Sequence, residues 1–262
     1  MDLKLTGKRA LVSGSTKGIG LAIARSLAAE GAHVIVNGRS QASLDAARAE
    51  IAGHAPGAKL DGFVGDLANP ADAAKLVAAF PDVDILVNNL GIFEPKAFEE
   101  IPDADWQRFF DVNVLSGVRL ARAYLPGMKQ RDWGRIVWIS SESGVQIPAE
   151  MIHYGMTKTA QLAVSRGIAE TCAGTGVTSN CVLPGPTRSA GVDEFVEKLS
   201  GGQPFAAFEQ EFFRSVRPTS LIKRFATTDE VASLVAYVCS PLASATNGAA
   251  LRVDGGVVKS AF

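Results

Sequence analysis

Residues 9–28 read Arg9-Ala10-Leu11-Val12-Ser13-Gly14-Ser15-Thr16-Lys17-Gly18-Ile19-Gly20-Leu21-Ala22-Ile23-Ala24-Arg25-Ser26-Leu27-Ala28. A short apolar run ends at Val12, a polar glycine-rich turn follows, and helix-forming residues begin at Leu21. Gly14 permits a tight turn after the strand, and Gly18 and Gly20 remove side chains where the helix starts. Ser15, Lys17 and Ile19 complete the turn. Free N–H groups and the helix dipole favour an anion at such a helix N-terminus, so the turn suits the pyrophosphate of a dinucleotide. The spacing is Gly-x-x-x-Gly-x-Gly rather than the commoner Gly-x-Gly-x-x-Gly.

Outward from this unit the same alternation recurs. Strand-like runs stand at His33 to Val36, Asp61 to Val64, Asp84 to Val87, Arg135 to Ile139, Val177 to Leu183 and Ala249 to Val253. Amphipathic stretches of about ten to twenty-five residues separate them, which implies right-handed βαβ units. The expected fold is α/β: a Rossmann-like, doubly wound parallel sheet of seven strands with helices on both faces. No linker or repeat divides the chain, so residues 1–262 form one domain. Residues 188–225 depart from the rhythm, being longer than the usual connection. Six of the thirteen phenylalanines fall there: Phe195, Phe205, Phe208, Phe212, Phe213 and Phe225. Phe205, Phe208 and Phe212 share one helical face. The segment reads either as a packed helical hairpin or as a mobile aromatic lid over a substrate cleft. A lid of this kind favours substrates with apolar or aromatic bulk.

Composition removes several classes of function. Lys and Arg number 26 against 27 Asp and Glu, a net charge of −1, without the basic excess of a nucleic-acid binder. Cys172, Cys181 and Cys239 are widely spaced and odd in number, as expected of reduced core residues in a cytoplasmic protein. His33, His54 and His153 are scattered, and no metal site is expected. The N-terminus shows no signal peptide. Residues 231–251 lack charge, but Ser240-Pro241 and Thr246-Asn247-Gly248 interrupt them, so no membrane span is expected.

Tyr154 and Lys158 lie four apart in a helical stretch and project from one face. A nearby ammonium stabilises phenolate, so Lys158 is expected to lower the Tyr154 pKa and make it a usable proton donor or acceptor. The pair follows the fifth strand and Ser140-Ser141. Asn113 falls on an apolar stripe formed by Trp106, Phe109, Phe110, Gly117, Leu120, Ala121 and Tyr124. A buried asparagine there needs hydrogen bonds, either to neighbouring backbone or as a polar link or water site toward Lys158.

These elements stand in the order Ser13-Gly14-x-x-x-Gly18-Ile19-Gly20, Asp66-Leu67, Asn88-Asn89-Leu90-Gly91, Asn113, Ser141, Tyr154-x-x-x-Lys158 and Pro184-Gly185 with Thr187. In this combination the chain resembles the short-chain dehydrogenases/reductases of about 250 residues over nearly its whole length. The resemblance implies that Tyr154 is the general acid in reduction and the base in oxidation. Ser141, thirteen residues before it, would hold the substrate carbonyl. Lys158 would hold the nicotinamide ribose, and Asn113 would support a proton-relay water. Asp66 would meet the adenine, Asn89 and Gly91 would line the adenosine-ribose side, Thr187 would hold the nicotinamide carboxamide, and Leu67, Pro184 and Gly185 would also border the cofactor. Leu90 replaces the family's usual alanine and is expected to narrow the cleft; Ser13 replaces its usual threonine.

The family's aspartate for an NAD ribose falls at Gly38 here, and Arg39 follows, with Lys17 in the glycine turn. That pattern implies NADP(H) rather than NAD(H). The expected activity is reversible reduction of a small-molecule ketone or aldehyde to an alcohol. A 3-oxoacyl-thioester reductase is the enzymatic alternative, although Thr175 stands where carrier-protein reductases usually have arginine. A nucleotide-binding regulator is the non-enzymatic alternative, and it predicts decay of Asn113, Ser141, Tyr154 and Lys158, all of which are present. Apolar excess around 105–128 and 151–173, together with the resemblance, implies a homotetramer or homodimer.

Overall fold

A computed structural model describes residues 1–189 and 204–261. Seven parallel strands form one sheet: β1 (Arg9–Val12), β2 (His33–Gly38), β3 (Leu60–Val64), β4 (Ile85–Asn88), β5 (Gly134–Ile139), β6 (Val177–Pro184) and β9 (Ala250–Val253). Their order is β3-β2-β1-β4-β5-β6-β9. The chain winds outward from β1 in one direction, then returns to β4 and winds in the other. The carboxyl ends of β1 and β4 therefore border the topological switch point, where doubly wound sheets bind ligands. All seven strand-like runs are found where the sequence places them.

The central strands are apolar throughout because both faces are covered. On one face Ala10, Val12, Val34 and Val36 pack with α1 (Gly18–Ala29), α2 (Gln41–His54) and α8 (Thr228–Cys239). On the other, Leu11, Ile35, Leu86 and Trp138 pack with α3 (Pro70–Ala79), α5 (Ser116–Gln130) and α6 (Ile152–Thr171). Local chemistry starts several helices: Ser40 caps α2, Asn69 caps α3 ahead of Pro70, and Thr227 with Glu230 forms a capping box on α8.

The apolar stripe containing Asn113 is not one continuous helix. It consists of α4 (Asp103–Phe110), a π-helical turn at Asp111–Leu115, and α5. Asn113 sits in the π turn and is 1% exposed. Such turns often mark functional positions, because the extra residue redirects the side chain and backbone carbonyl.

The 188–225 insertion is pinned at both ends. Thr187 and Arg188 (β7) pair in parallel with Ala226 and Thr227 (β8). Between them α7 (Phe205–Ser215) carries the aromatic cluster: the Phe225 ring lies 5.7, 5.0 and 5.2 Å from those of Phe205, Phe212 and Phe213. Phe195 lies outside the described residues.

Candidate active site

Three loops meet at the switch point and tie the glycine turn in place. Ser15 Oγ donates to the Val12 carbonyl at 2.7 Å and accepts from Asn37 N at 2.9 Å. Asn37 Oδ1 accepts from Gly14 N at 3.0 Å, while its amide nitrogen donates to the Phe63 and Gly65 carbonyls. Asn37 thus joins the ends of β1, β2 and β3, a role missed from sequence although a polar residue ending a buried valine-rich strand is a readable signal. From the other side, Asn89 Nδ2 donates to the carbonyls of Ser13 and Gly14 at 3.0 and 3.1 Å. Ser13 Oγ accepts from the Asn89 and Leu90 amides at 2.9 and 3.0 Å, so serine serves at that position.

The turn fits a dinucleotide. Gly14 and Gly18 adopt φ of +61° and +60°, where a side chain is strained. A Cβ on Gly20 would overlap the Gly14 carbonyl. No side chain caps the N-terminus of α1, and its first turn holds no acid. Its N–H groups are thus available to an anion. The Ser15 side chain is committed to the fold, and Leu67 is 1% exposed in the core, so each can offer a ligand only its backbone. Asp66 Oδ1 accepts from Ala68 N at 3.0 Å, which fixes its own turn. Lys17 and Arg39 are exposed and pair with no described residue.

A cavity of about 510 Å³ opens over the ends of β4, β5 and β6. Asn89 and Gly91, Ser141, Tyr154 and Lys158, and Pro184, Gly185 and Thr187 line its base; Ile19 borders it from α1. Phe208, Phe212 and Phe225 form part of the opposite wall. Leu90 is partly buried against the core, and a Cβ on Gly14 would stand 3.4 Å from its Cδ1, which places Leu90 at the glycine turn rather than in the lining of this cavity.

The four residues singled out by sequence converge here, with a division of labour that sequence could not show. Ser140 Oγ donates to the Lys158 carbonyl at 2.9 Å and is structural. Ser141 Oγ accepts from Ser143 N at 3.1 Å, and Ser141 lines the cavity together with Tyr154. Lys158 is 4% exposed; its amine donates to the Ile139 carbonyl at 2.8 Å and lies 5.5 Å from the centre of the Tyr154 ring. A Cβ on Gly91 would stand 3.5 Å from that amine.

The Asn113 side chain bonds neighbouring backbone, and only its main-chain carbonyl leads toward Lys158. The side chain accepts from Ile92 N at 2.8 Å and donates to the Ile92 carbonyl at 3.0 Å and to Thr157 Oγ1 at 2.9 Å. Its backbone carbonyl accepts from Gln161 Nε2, and Gln161 Oε1 lies 3.5 Å from the Lys158 amine. The polar link toward Lys158 is therefore a glutamine side chain. Gln161, one helical turn beyond Lys158, was legible only as a polar residue on a buried face.

The protonation chemistry also differs from expectation. Burial pushes the Tyr154 phenol up to about 12, with the Ser141 hydrogen bond opposing. Burial brings Lys158 down to about 8. Desolvation penalises both charged forms here, and the protein groups alone do not make Lys158 lower the Tyr154 pKa.

Two other groups in the cavity escaped the sequence reading. Glu142, 4% exposed, and Arg217 form an ion pair with Nε to Oε1 of 3.1 Å. Burial raises the Glu142 pKa, with Arg217 opposing. Cys172, Cys181 and Cys239 are all buried and unpaired. Among the described residues no cluster suits a metal ion, and no helix is long and apolar enough to cross a membrane.

A Rossmann-like sheet with a dinucleotide turn and a Ser-Tyr-Lys cavity defines a nucleotide-linked oxidoreductase class, and comparison with known proteins agrees. The family profile described as Enoyl-(Acyl carrier protein) reductase matches residues 14–258. The uncharacterized oxidoreductase YvaG of Bacillus subtilis (strain 168) is 48% identical over 264 residues, covering 100% of both chains. The D-beta-hydroxybutyrate dehydrogenase of Cupriavidus necator is 37% identical over 260 residues, covering 97% of this chain and 99% of that one. Among solved structures, L-sorbose reductase from Gluconobacter frateurii, complexed with NADPH and L-sorbose, superposes with a TM-score of 0.93 at 31% identity, covering 99% of this chain and 100% of that one. The chain belongs to the short-chain dehydrogenase/reductase family and is an oxidoreductase of it.

Proposed function

We propose that this protein is an NADP(H)-dependent carbonyl reductase, converting a ketone or aldehyde to the alcohol and running in reverse as an alcohol dehydrogenase. One observation carries the reading: Ser141, Tyr154 and Lys158 face a single cavity that also reaches Ile19 beside the glycine turn. When bound, the nicotinamide supplies or accepts the hydride, and the protein's task is orientation and proton management.

In reduction, the Tyr154 hydroxyl donates its proton to the carbonyl oxygen, and the neutral phenol favoured by burial is the form required. Ser141 Oγ donates a hydrogen bond to the same oxygen and holds the carbonyl toward Tyr154. Lys158, fixed on Ile139 and Gln161, would hold the nicotinamide ribose. Asn113 holds the Ile92 backbone and, through Gln161, the lysine.

NADP(H) is favoured by the end of β2. A Cβ on Gly38 would overlap Thr16 Cγ2, so the position leaves no room for a carboxylate against a ribose 2′-hydroxyl. Arg39 and Lys17 stand exposed nearby in sequence and turn, suited to a 2′-phosphate. The buried, unpaired cysteines fit a reducing, cytoplasmic setting.

The test is NADPH consumption, followed by absorbance, over a panel of sugars, steroids, acyl thioesters and small ketones. Oxidation of NADPH by at least one carbonyl class is expected; none by any class would overturn the reading.

A further inference from the structure

The turn that carries Ser141 also brings a charge into the cavity that proton transfer does not need. Glu142 Oε1 accepts from Arg217 Nε at 3.1 Å, and Oε2 accepts from Ser143 Oγ at 2.9 Å. Arg217 Nη1 donates to Glu150 Oε1 at 3.2 Å and to the Val216 carbonyl at 3.0 Å. Arg217 Nη2 has no acceptor among the described residues. All three charged residues line the cavity together with Phe208 and Phe212, and Arg217 N donates to the Phe212 carbonyl at 3.0 Å.

An ion pair in such a place is a weak device for stability, since apolar residues of similar volume usually serve as well. It is a strong device for selection. A carboxylate offers about four acceptor sites, and two are filled here. Unused acceptor capacity on Glu142 therefore lies beside unused donor capacity on Arg217. A hydroxyl group, which donates and accepts at once, satisfies both. Glu142 adjoins Ser141 in the chain, and Glu142, Arg217, Ser141 and Tyr154 all line one cavity. A substituent held by the pair thus sits close to the reacting carbon. The trio Glu142, Glu150 and Arg217 sums to one negative charge, so a substrate carboxylate there meets repulsion.

We propose that Glu142 and Arg217 form a substrate-recognition pair for a hydroxyl group next to the reacting carbonyl, so that the enzyme selects uncharged α-hydroxy ketones over simple ketones and over oxo acids. The proposal rests on the carbonyl-reductase reading and names the substrate class of that site. It also qualifies the expectation that apolar or aromatic bulk is favoured: the cavity that holds Phe208 and Phe212 also holds a polar pair.

The experiment compares kcat/KM with NADPH for hydroxyacetone against acetone, 3-hydroxybutan-2-one against butan-2-one, and acetoacetate. The expected preference for each hydroxy ketone is at least tenfold over its deoxy partner and over acetoacetate. Glu142→Met and Arg217→Met should each cut that ratio at least fivefold. A ratio measured within one preparation cancels the folded fraction, and comparing that ratio between wild type and variant cancels the intrinsic electrophilicity of the ketones. The double variant Glu142→Met/Arg217→Met replaces the pair by apolar packing and serves if either single variant fails to fold. Calorimetric titration gives a second readout: propane-1,2-diol should bind the wild-type protein at least fivefold more tightly than propan-2-ol, and the double variant should lose the difference. Equal turnover of hydroxylated and deoxy ketones, or a ratio unchanged in the variants, would overturn the pair's role and leave the reductase reading standing. Failure to reduce any carbonyl compound would overturn both.

Discussion

Gln161 donates its side-chain amide to the main-chain oxygen of Asn113 at 2.5 Å and holds its own oxygen 3.5 Å from the Lys158 amine. This bridge joins the π-helical turn to the lysine on α6 with both ends buried. Gln161→Met keeps volume but leaves the Asn113 carbonyl unmet, at a cost of about 1–3 kcal/mol. Chemical denaturation should show that loss. The pH profile of kcat should shift as well, because Lys158 loses a partner; an unchanged profile would reduce Gln161 to packing.

Tyr154→Phe keeps the ring and its edge contact with Phe93 but removes the exchangeable proton. Turnover should fall by about 10²–10⁴, with nucleotide affinity little changed. A variant with near-normal turnover would eliminate Tyr154 as the acid.

Cofactor choice turns on the end of β2. Arg39→Ala should weaken NADPH about ten- to hundredfold, from the loss of a charged hydrogen bond, and leave NADH nearly unaffected. Gly38→Asp alone should gain little for NADH, because its Cβ meets Thr16 Cγ2; Gly38→Asp with Thr16→Ser should gain more. Fluorescence titration with both nucleotides checks this, and wild-type binding of NADH as tight as NADPH would contradict it.

Lys158 makes stability depend on pH. Its folded pKa, about 8, lies below the ordinary 10.5. Between these values the unfolded chain keeps a proton that the folded chain has released, so stability rises with pH across this window. The gain reaches about 2 kcal/mol near pH 10. Above about pH 9 Cys181 and Cys239 oppose it, and above about pH 10 Tyr154 does too, because their raised pKa values make the folded chain the one that retains the proton. Urea unfolding of the nucleotide-free protein should show the wild type gaining stability relative to Lys158→Met as pH rises from about 8 to 10.

Assembly should follow from α5 and α6. Val118, Leu125, Leu162 and Val164 are only partly covered within one chain. A homotetramer built on two-fold interfaces is expected, and light scattering that gives a monomer at micromolar concentration would contradict it.

The sequence by itself determined the sheet, the glycine turn and the Tyr154–Lys158 pair, because each rests on short-range geometry. Alternating apolar runs and helical spacing are properties of neighbouring residues, and four residues on a helix return a side chain to the same face. That Gly38 and Arg39 stand at the end of β2 was legible for the same reason. Tertiary structure alone decided what those groups touch. Glu142 meets Arg217 across 75 residues, and Gln161 reaches Asn113 across 48. Both contacts depend on where the insertion and the π turn settle, and no local periodicity encodes that. The protonation of Tyr154 was misjudged for a related reason. Lys158 stands one turn away, but burial raises the Tyr154 pKa and lowers that of Lys158, and the depth of burial is a property of the packed chain.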